Sequence, residues 1–318
     1  MKYSGIGGQA VIEGIMMMKG EDYAVAVRRP DKEIEVKKDT YQSITKKAKI
    51  LQLPFVRGVF RFADSMIIGM RSLTYSASFF EDDEDAEPGK FEQFLDRVFG
   101  EKLESAIMAA VLVISFILAI GIFMLLPLGI ANLFKGVITS DHLMAVLEGV
   151  IRIAIFIIYI KLVSRMEDIR RTFVYHGAEH KCINCVEHGH PLTVKYVRES
   201  SKEHKRCGTS FILIVMVISI LMFMVIRVDT IWMRILSRII LVPVIAGISY
   251  EVLQCAGRSN SKFMDLVSRP GMWMQGLTTK EPDDSMIEVA IAATEAVFDW
   301  REYLTENFPG WEKQLEES

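Results

Sequence analysis

Four of the six histidines and two of the four cysteines in this 318-residue chain fall within sixteen consecutive positions, 175–190, reading YHGAEHKCINCVEHGH. Within them His176, Glu179 and His180 form the pattern H-x-x-E-H. On a helix, residues three and four apart share one face. Two imidazoles one turn apart can bind one Zn²⁺ at about 2.0–2.1 Å each, and a glutamate between them can act as general base. Such a site lowers the pKa of a bound water towards about 7, so that hydroxide is available at neutral pH. The residue order is that of the inverted zinc-hydrolase motif. Gly177 weighs against a long regular helix, by about 1 kcal/mol relative to alanine.

A second set lies beside the first. Cys182 and Cys185 form a C-x2-C pair, and His204 and Cys207 follow eighteen residues later in HKRCG. C-x2-C-x18-H-x2-C is zinc-ribbon-like spacing with one cysteine replaced by histidine, and three thiolates with one imidazole would close a tetrahedral structural site. Two metal readings follow. Either Cys182, Cys185, His204 and Cys207 build a structural knuckle beside a catalytic H-x-x-E-H, or one metal takes a mixed set such as His176, His180, Cys182 and Cys207. A redox dithiol with Lys181 lowering a thiol pKa is a third use of the pair, but no βαβ context accompanies it. A polar membrane-proximal loop without metal is the plain alternative. It has to account for five of six histidines and three of four cysteines lying within 176–207. His188 and His190 flank Gly189 and read as solvent-facing turn residues, and His142 and Cys255 as packing residues.

The elements that must position these groups include membrane spans. Half of the chain (51%) is hydrophobic although 24% is charged, which requires the two kinds of residue to be segregated along the sequence. Thirty uncharged residues separate Glu104 from Lys135, and twenty separate Arg206 from Arg227; about twenty suffice to cross a bilayer as a helix. Pro127 predicts a kink in the first of these. Residues 143–163 form a further span carrying Glu148 and Arg152, four apart and able to neutralise one another. Residues 235–253 form a fourth, interrupted by Arg238, Pro243 and Glu251, where a broken or re-entrant helix is conceivable. The connector 164–209 carries nine lysines and arginines and the connector 135–142 one. The positive-inside rule therefore puts the N-terminus, the 164–209 loop and the C-terminus on the cytoplasmic side.

Outside the spans, residues 23–38 alternate in two runs around Pro30-Asp31 and predict a β-hairpin. Residues 55–75 repeat Phe55, Val59, Phe62 and Met66 at helical spacing, the pattern either of a basic amphipathic helix on the membrane surface or of a helix docked on the protein's own core. EDDEDAEPG, 81–89, reads as a disordered acidic linker. Ser285 and Glu288 have capping-box spacing and predict a helix over 286–303, with Ile287, Ile291 and Phe298 on one stripe. GIGGQAVIEG near the start is a glycine-rich turn packed closely on the rest of the protein, rather than a phosphate loop, which its spacing does not match. Gln9 and Glu13 are placed to approach the metal-binding loop. No aromatic-interleaved basic groove is present and the net charge is −3, so no nucleic-acid partner is expected. There is no secretory leader in the first residues, and four cysteines in so long a chain are not a disulfide framework.

GGQAVIEGIMMM, YHGAEHKCINC, HKRCGTSF and RPGMWMQGLTTKEPDD, four separated motifs, together resemble the bacterial YqhQ-like family of membrane proteins, which are described as metal-dependent enzymes on the strength of their sequences. The resemblance covers nearly the whole chain and implies an integral membrane protein. The metal inference would fall here on His176, Glu179, His180, Cys182, Cys185, His204 and Cys207.

The expectation is a mainly α, polytopic helical membrane protein of about four spans with a small N-terminal β-hairpin and cytoplasmic helices. Its regions are 1–80 (N-terminal, cytoplasmic), 81–90 (linker), 105–254 (membrane domain with the metal-binding loop 164–209) and 255–318 (C-terminal, cytoplasmic). The expected function is zinc-dependent hydrolysis at the cytoplasmic face of the cell membrane, with His176, His180, Cys182, Cys185, His204 and Cys207 as metal ligands and Glu179 as base. The alternative is a non-enzymatic scaffold or regulator stapled by a structural zinc. A carrier or channel would rest on the Glu148–Arg152 pair alone. Membrane lipids, and a second copy or another membrane protein, are the expected partners.

Overall fold

The computed structural model describes residues 1–80, 103–226, 230–259 and 261–316; the acidic linker lies outside them. The chain is mainly helical, with an N-terminal antiparallel sheet, and divides into two compact units: Met1–Phe80 with Ile160–Ser318, and residues 81–159.

The first unit is built on a four-stranded meander, β1 (Ile6–Val11), β2 (Gly14–Lys19), β3 (Asp22–Arg28) and β4 (Ile34–Thr40), in the order β1-β2-β3-β4. The expected hairpin is β3–β4. The two strands before it come from the glycine- and methionine-rich start of the chain, which is strand where a turn was expected. In β2 and β3 almost every residue is buried, because successive side chains point to opposite faces and both faces are covered. Ile15, Met17 and Ala26 enter one core, and Met16, Val25 and Val27 enter another. The first core is closed by α5 (Glu167–Glu187) and α10 (Asp284–Val297) and the second by α1 (Val56–Ala77).

α1 docks on the protein's own core and also carries an exposed apolar stripe. Ile68 and Gly69 face the sheet, while Phe62, Met66, Met70 and Leu73 form an exposed stripe. α1 also packs on α8 (Ile231–Arg258), where Gly58 and Gly247 let the backbones approach and Arg57 forms a bidentate pair with Glu251 at 2.7 and 2.6 Å. α8 runs through Pro243 without a break, so the expected interruption does not occur. It pairs with α7 (Gly208–Val225). α9 (Lys262–Thr278) lies across α7, and α6 (Val194–Glu199), α11 (Trp300–Asn307) and α12 (Lys313–Glu316) complete the unit. The C-terminal helix starts at Asp284 rather than 286 because Asp283, not Ser285, caps it by accepting the Met286 N–H. It ends at Val297, with Phe298 extended. Ile287 and Phe298 are buried in the core, with Ile291 packed against it.

The second unit contains α2 (Leu103–Ile120), a π-turn over Gly121–Leu125, α3 (Leu126–Asn132) with Pro127 in its first turn, and α4 (Asp141–Val163), whose last residues belong to the first unit. The π-turn and Pro127 fall in the apolar stretch where a kink was expected. Arg152 and Glu148 of α4 pair at 2.7 Å. Among the described residues four helical stretches are long and apolar enough to cross a membrane: Val113–Asn132, Asp141–Val163, Gly208–Val225 and Ile235–Arg258.

Candidate metal centre

α5 carries H-x-x-E-H in the middle of twenty-one continuous helical residues. Gly177 does not interrupt it. A Cβ at 177 would lie 2.0 Å from the Lys280 carbonyl oxygen, so the glycine is where the chain after α9 crosses the helix. Lys280 N–H donates to the Phe173 carbonyl there, at 2.9 Å. That crossing brings the Thr278 carbonyl within 2.9 Å of His176 Nδ1.

The second approach to α5 is the segment 200–207. Lys181 donates to the Arg198 and Ser200 carbonyls at 2.8 and 2.7 Å, and Asn184 to those of Ser201 and Glu203 at 2.6 and 2.9 Å. From the other side the fully buried Gln275 of α9 holds both backbone groups of His204, accepting its N–H at 2.9 Å and donating to its carbonyl at 2.8 Å. So fixed, the segment sets the Lys202 carbonyl 2.6 Å from His180 Nδ1 and delivers Cys207 to the start of α7.

A backbone carbonyl can only accept, so Nδ1 of His176 and of His180 must each carry a proton, which leaves Nε2 as the nitrogen through which either ring could bind a metal. Nε2 of His176 lies 3.3 Å from Cys207 Sγ. One ligand atom from each of His176, His180 and Cys207 falls within 4.8 Å of the others. Cys207 caps α7 and accepts the Thr209 N–H at 3.4 Å, a place where negative charge is favoured. Imidazoles whose Nδ1 is bonded to a backbone carbonyl, as both are here, resemble metal-ligating histidines with their outer hydrogen bonds in place. Nitrogen and sulfur donors suit zinc better than magnesium or calcium.

Glu179 stands beside this group and outside its 4.8 Å limit. It is buried, and burial pushes its carboxyl up to about 7 against the opposing pull of His176 and of the Gly8 N–H that it accepts. Gly8 is a glycine for that contact: a Cβ there would sit 2.9 Å from Glu179 Cγ and 2.7 Å from the Met16 carbonyl oxygen. Of the two residues expected near the metal-binding loop, Glu13 binds Arg171 and the Tyr175 hydroxyl of α5, whereas Gln9 meets Gly69 of α1.

Cys182 and Cys185 lie outside this group, and His204, although its ring centroid is 5.8 Å from that of His180, is outside the 4.8 Å cluster as well. The C-x2-C pair sits on α5 rather than in a turn, so its side chains follow the helix into the apolar core beneath the sheet. Burial raises the pKa of the Cys182 thiol well above its ordinary value, and that of Cys185 to about 12. Cys185 Sγ donates to the Pro191 carbonyl at 3.2 Å. His204 is held at about 4 by burial, only partly offset by Glu187, and is therefore neutral. Its Nε2 donates to Glu187 across 3.4 Å and its Nδ1 accepts the Arg206 N–H. The ion pair of Glu187 is with Arg206, at 2.6 Å. Burial would raise the Glu187 carboxyl, but His204, Arg206 and the Ser4 N–H together hold it at about 2. His188 is exposed, as expected, while His190 is half-buried, bonded to Gln314 and stacked on Tyr196.

Three residues of the site escaped the sequence reading. Thr278, Lys202 and Gln275 act through main-chain atoms or through contacts with main chain, which leave no residue-type signature. Only the RPGMWMQGLTTKEPDD motif pointed at the segment that holds two of them.

With this geometry the similarities gain a focus. The family described as "Protein of unknown function (DUF1385)" matches residues 53–300. The chain belongs to it. It is also 34% identical over 286 residues to "Uncharacterized protein YqhQ" of Bacillus subtilis (strain 168), covering 90% of this chain and 89% of that one. No solved structure matches. The DUF1385 match contains His176, His180, Cys207 and Glu179, but not Gly8.

Proposed function

We propose that this DUF1385 chain is a multi-pass membrane protein with its termini in the cytoplasm, and a zinc-dependent hydrolase working at the cytoplasmic membrane surface. His176, His180 and Cys207 hold the metal. The observation that carries the reading is a pair of carbonyl-bonded imidazoles, that of His176 with its Nε2 3.3 Å from the Cys207 sulfur and that of His180 with a ring nitrogen within 4.8 Å of both. Three protein ligands leave a fourth position, which distinguishes catalytic from structural zinc, and favours an enzyme over a stapled scaffold. A bound zinc ion would supply Lewis acidity for polarising a carbonyl or phosphoryl oxygen.

The chain's own groups do the rest. Thr278 and Lys202 fix the tautomers, so neither ring can turn its lone pair away. Glu179, pushed up to about 7, takes a proton from an attacking water and returns it to the leaving group, being near-matched to neutral pH in both directions. The Gly8 N–H keeps that carboxylate aimed.

A second reading rests on the 3.3 Å contact between Cys207 and His176, which by itself is a thiol–imidazole dyad at a helix N-terminus. It leaves His180 without a part. Glu179→Gln separates the readings: unchanged metal content with hydrolysis lost supports the metal mechanism, whereas hydrolysis that persists in protein stripped of metal supports the dyad.

A further inference from the structure

A cavity of about 290 Å³ lies between α7, α8 and α9. Leu213, Ile214, Val217 and Ile218 line it from one face of α7, with Val252 and Leu253 of α8 opposite. Its polar lining residues are Lys205, Ser210 and Ser268, of which Lys205 and Ser210 stand at the start of α7. From Ser210 to Ile218 the groove follows α7 for about 12 Å at 1.5 Å per residue. It is an amphipathic slot: a hydrocarbon bore with a cation at its mouth.

Two of its walls, α7 and α8, are helices able to cross a membrane. The third, α9, buries Ser268, Gly271, Gln275 and Thr278 and turns Phe263, Leu266 and Trp273 outward, each more than half exposed. An amphipathic helix with an exposed apolar stripe and a tryptophan beside membrane spans belongs at the headgroup level. The groove is therefore bounded by elements with exposed apolar outer surfaces. Its polar end starts one helical turn from Cys207, and Thr209 and Thr278 meet there at 3.1 Å, joining the start of α7 to the residue that orients His176.

We propose that this groove seats an acyl chain of an anionic phospholipid, whose headgroup is held beside Lys205 and presented to the His176–His180–Cys207 centre. This names the substrate class of the hydrolase and rests on that reading. The reaction is cleavage of a headgroup ester by water: the hydroxyl goes to the acid fragment, the ester C–O or P–O bond breaks, and the proton goes to the departing alcohol oxygen. Lys205 is paired with Asp265 at 2.5 Å, so headgroup binding exchanges one anionic partner for another rather than neutralising a bare charge.

The test uses full-length protein in phosphatidylcholine vesicles doped with a phosphatidylglycerol carrying a mid-chain diazirine, with metal content measured on the same samples. Irradiation and peptide mapping should place the label on α7 and α8 residues of the groove. Leu213→Trp, and independently Val252→Trp, should lower it several-fold with metal content unchanged. Diazirine-labelled phosphatidylcholine should label the groove several-fold less, a preference that Lys205→Gln removes. The His176→Ala/His180→Ala variant should label like wild type, so failure of the metal reading leaves this result standing. Label absent from the groove, label insensitive to both tryptophan variants, or equal labelling by the two lipids in wild type overturns the proposal even where the metal is present.

Discussion

The acid–base character of the site region comes from three buried groups whose protonation opposes one another. His204 has a folded pKa near 4, below its unfolded value of about 6.5. The unfolded chain binds the extra proton between those values, so this group makes stability fall as pH drops from 6.5 to 4. Glu187, held near 2, adds a loss in the same direction below about 4.5. Glu179 does the reverse. Its folded pKa near 7 exceeds the unfolded one, so its contribution is full below about 4.5 and is lost as pH rises to 7. In chelator-treated protein these slopes should largely cancel between pH 4.5 and 6.5. Thermal unfolding followed across that range should show Glu179→Gln becoming steadily more stable with rising pH, by on the order of 3 kcal/mol for the remaining His204 shift. His204→Gln should show the opposite slope. Parallel profiles for both variants would contradict the assignment.

Also at the residue scale, H-x-x-E-H and HKRC were legible as metal-ligand types, and His176, His180 and Cys207 do converge. What was not legible was which sulfur joins them. Spacing alone made Cys182 and Cys185 as good as Cys207, and only the helical phase of α5 turns those two into the core. Cys182→Ala should therefore leave metal content unchanged and cost about 1 kcal/mol of stability for the lost buried volume, as read by elemental analysis and thermal unfolding. Cys207→Ser should lose the metal.

At the scale of elements, the centre depends on two crossings over α5. One is permitted by Gly177 and the other is tied by Lys181, Asn184 and Gln275. The sequence treated Gly177 as a weakness in a helix because propensity is local, whereas the need for a missing Cβ is set by Lys280, a hundred residues away. Gly177→Ala should improve helix propensity and yet destabilise the protein, by about 1–3 kcal/mol for overpacking. Through displacement of Thr278 it should weaken metal binding by roughly 10–100-fold. Chelator titration of the variant checks this; wild-type affinity would mean that Thr278 does not matter. The β-strands show the complementary case. β3 and β4 announced themselves as two runs around Pro30-Asp31, whereas β2 was hidden because a strand buried on both faces has no polar phase to read, and β1 because Gly7 and Gly8 read as a turn.

At the scale of the whole molecule, the four apolar helices were the most legible feature, since length and hydropathy suffice to find them. Their sidedness rests on the charge asymmetry between the 135–142 and 164–209 connectors. Single cysteines introduced into a cysteine-free background should report it. A cysteine at Ser140 should react with an impermeant maleimide in right-side-out vesicles, and one at Ser200 only after permeabilisation. The reverse pattern would place the candidate centre on the outer face, away from the cytoplasmic hydrolysis proposed for it.

The central claim is that His176, His180 and Cys207 jointly hold one metal ion. It is tested most directly by elemental analysis of purified wild-type protein alongside His180→Ala, Cys207→Ser and Cys182→Ala. The account predicts equimolar zinc in wild type and Cys182→Ala, and its loss in the other two. Wild-type protein free of stoichiometric metal, or zinc that survives Cys207→Ser and disappears in Cys182→Ala, would contradict it.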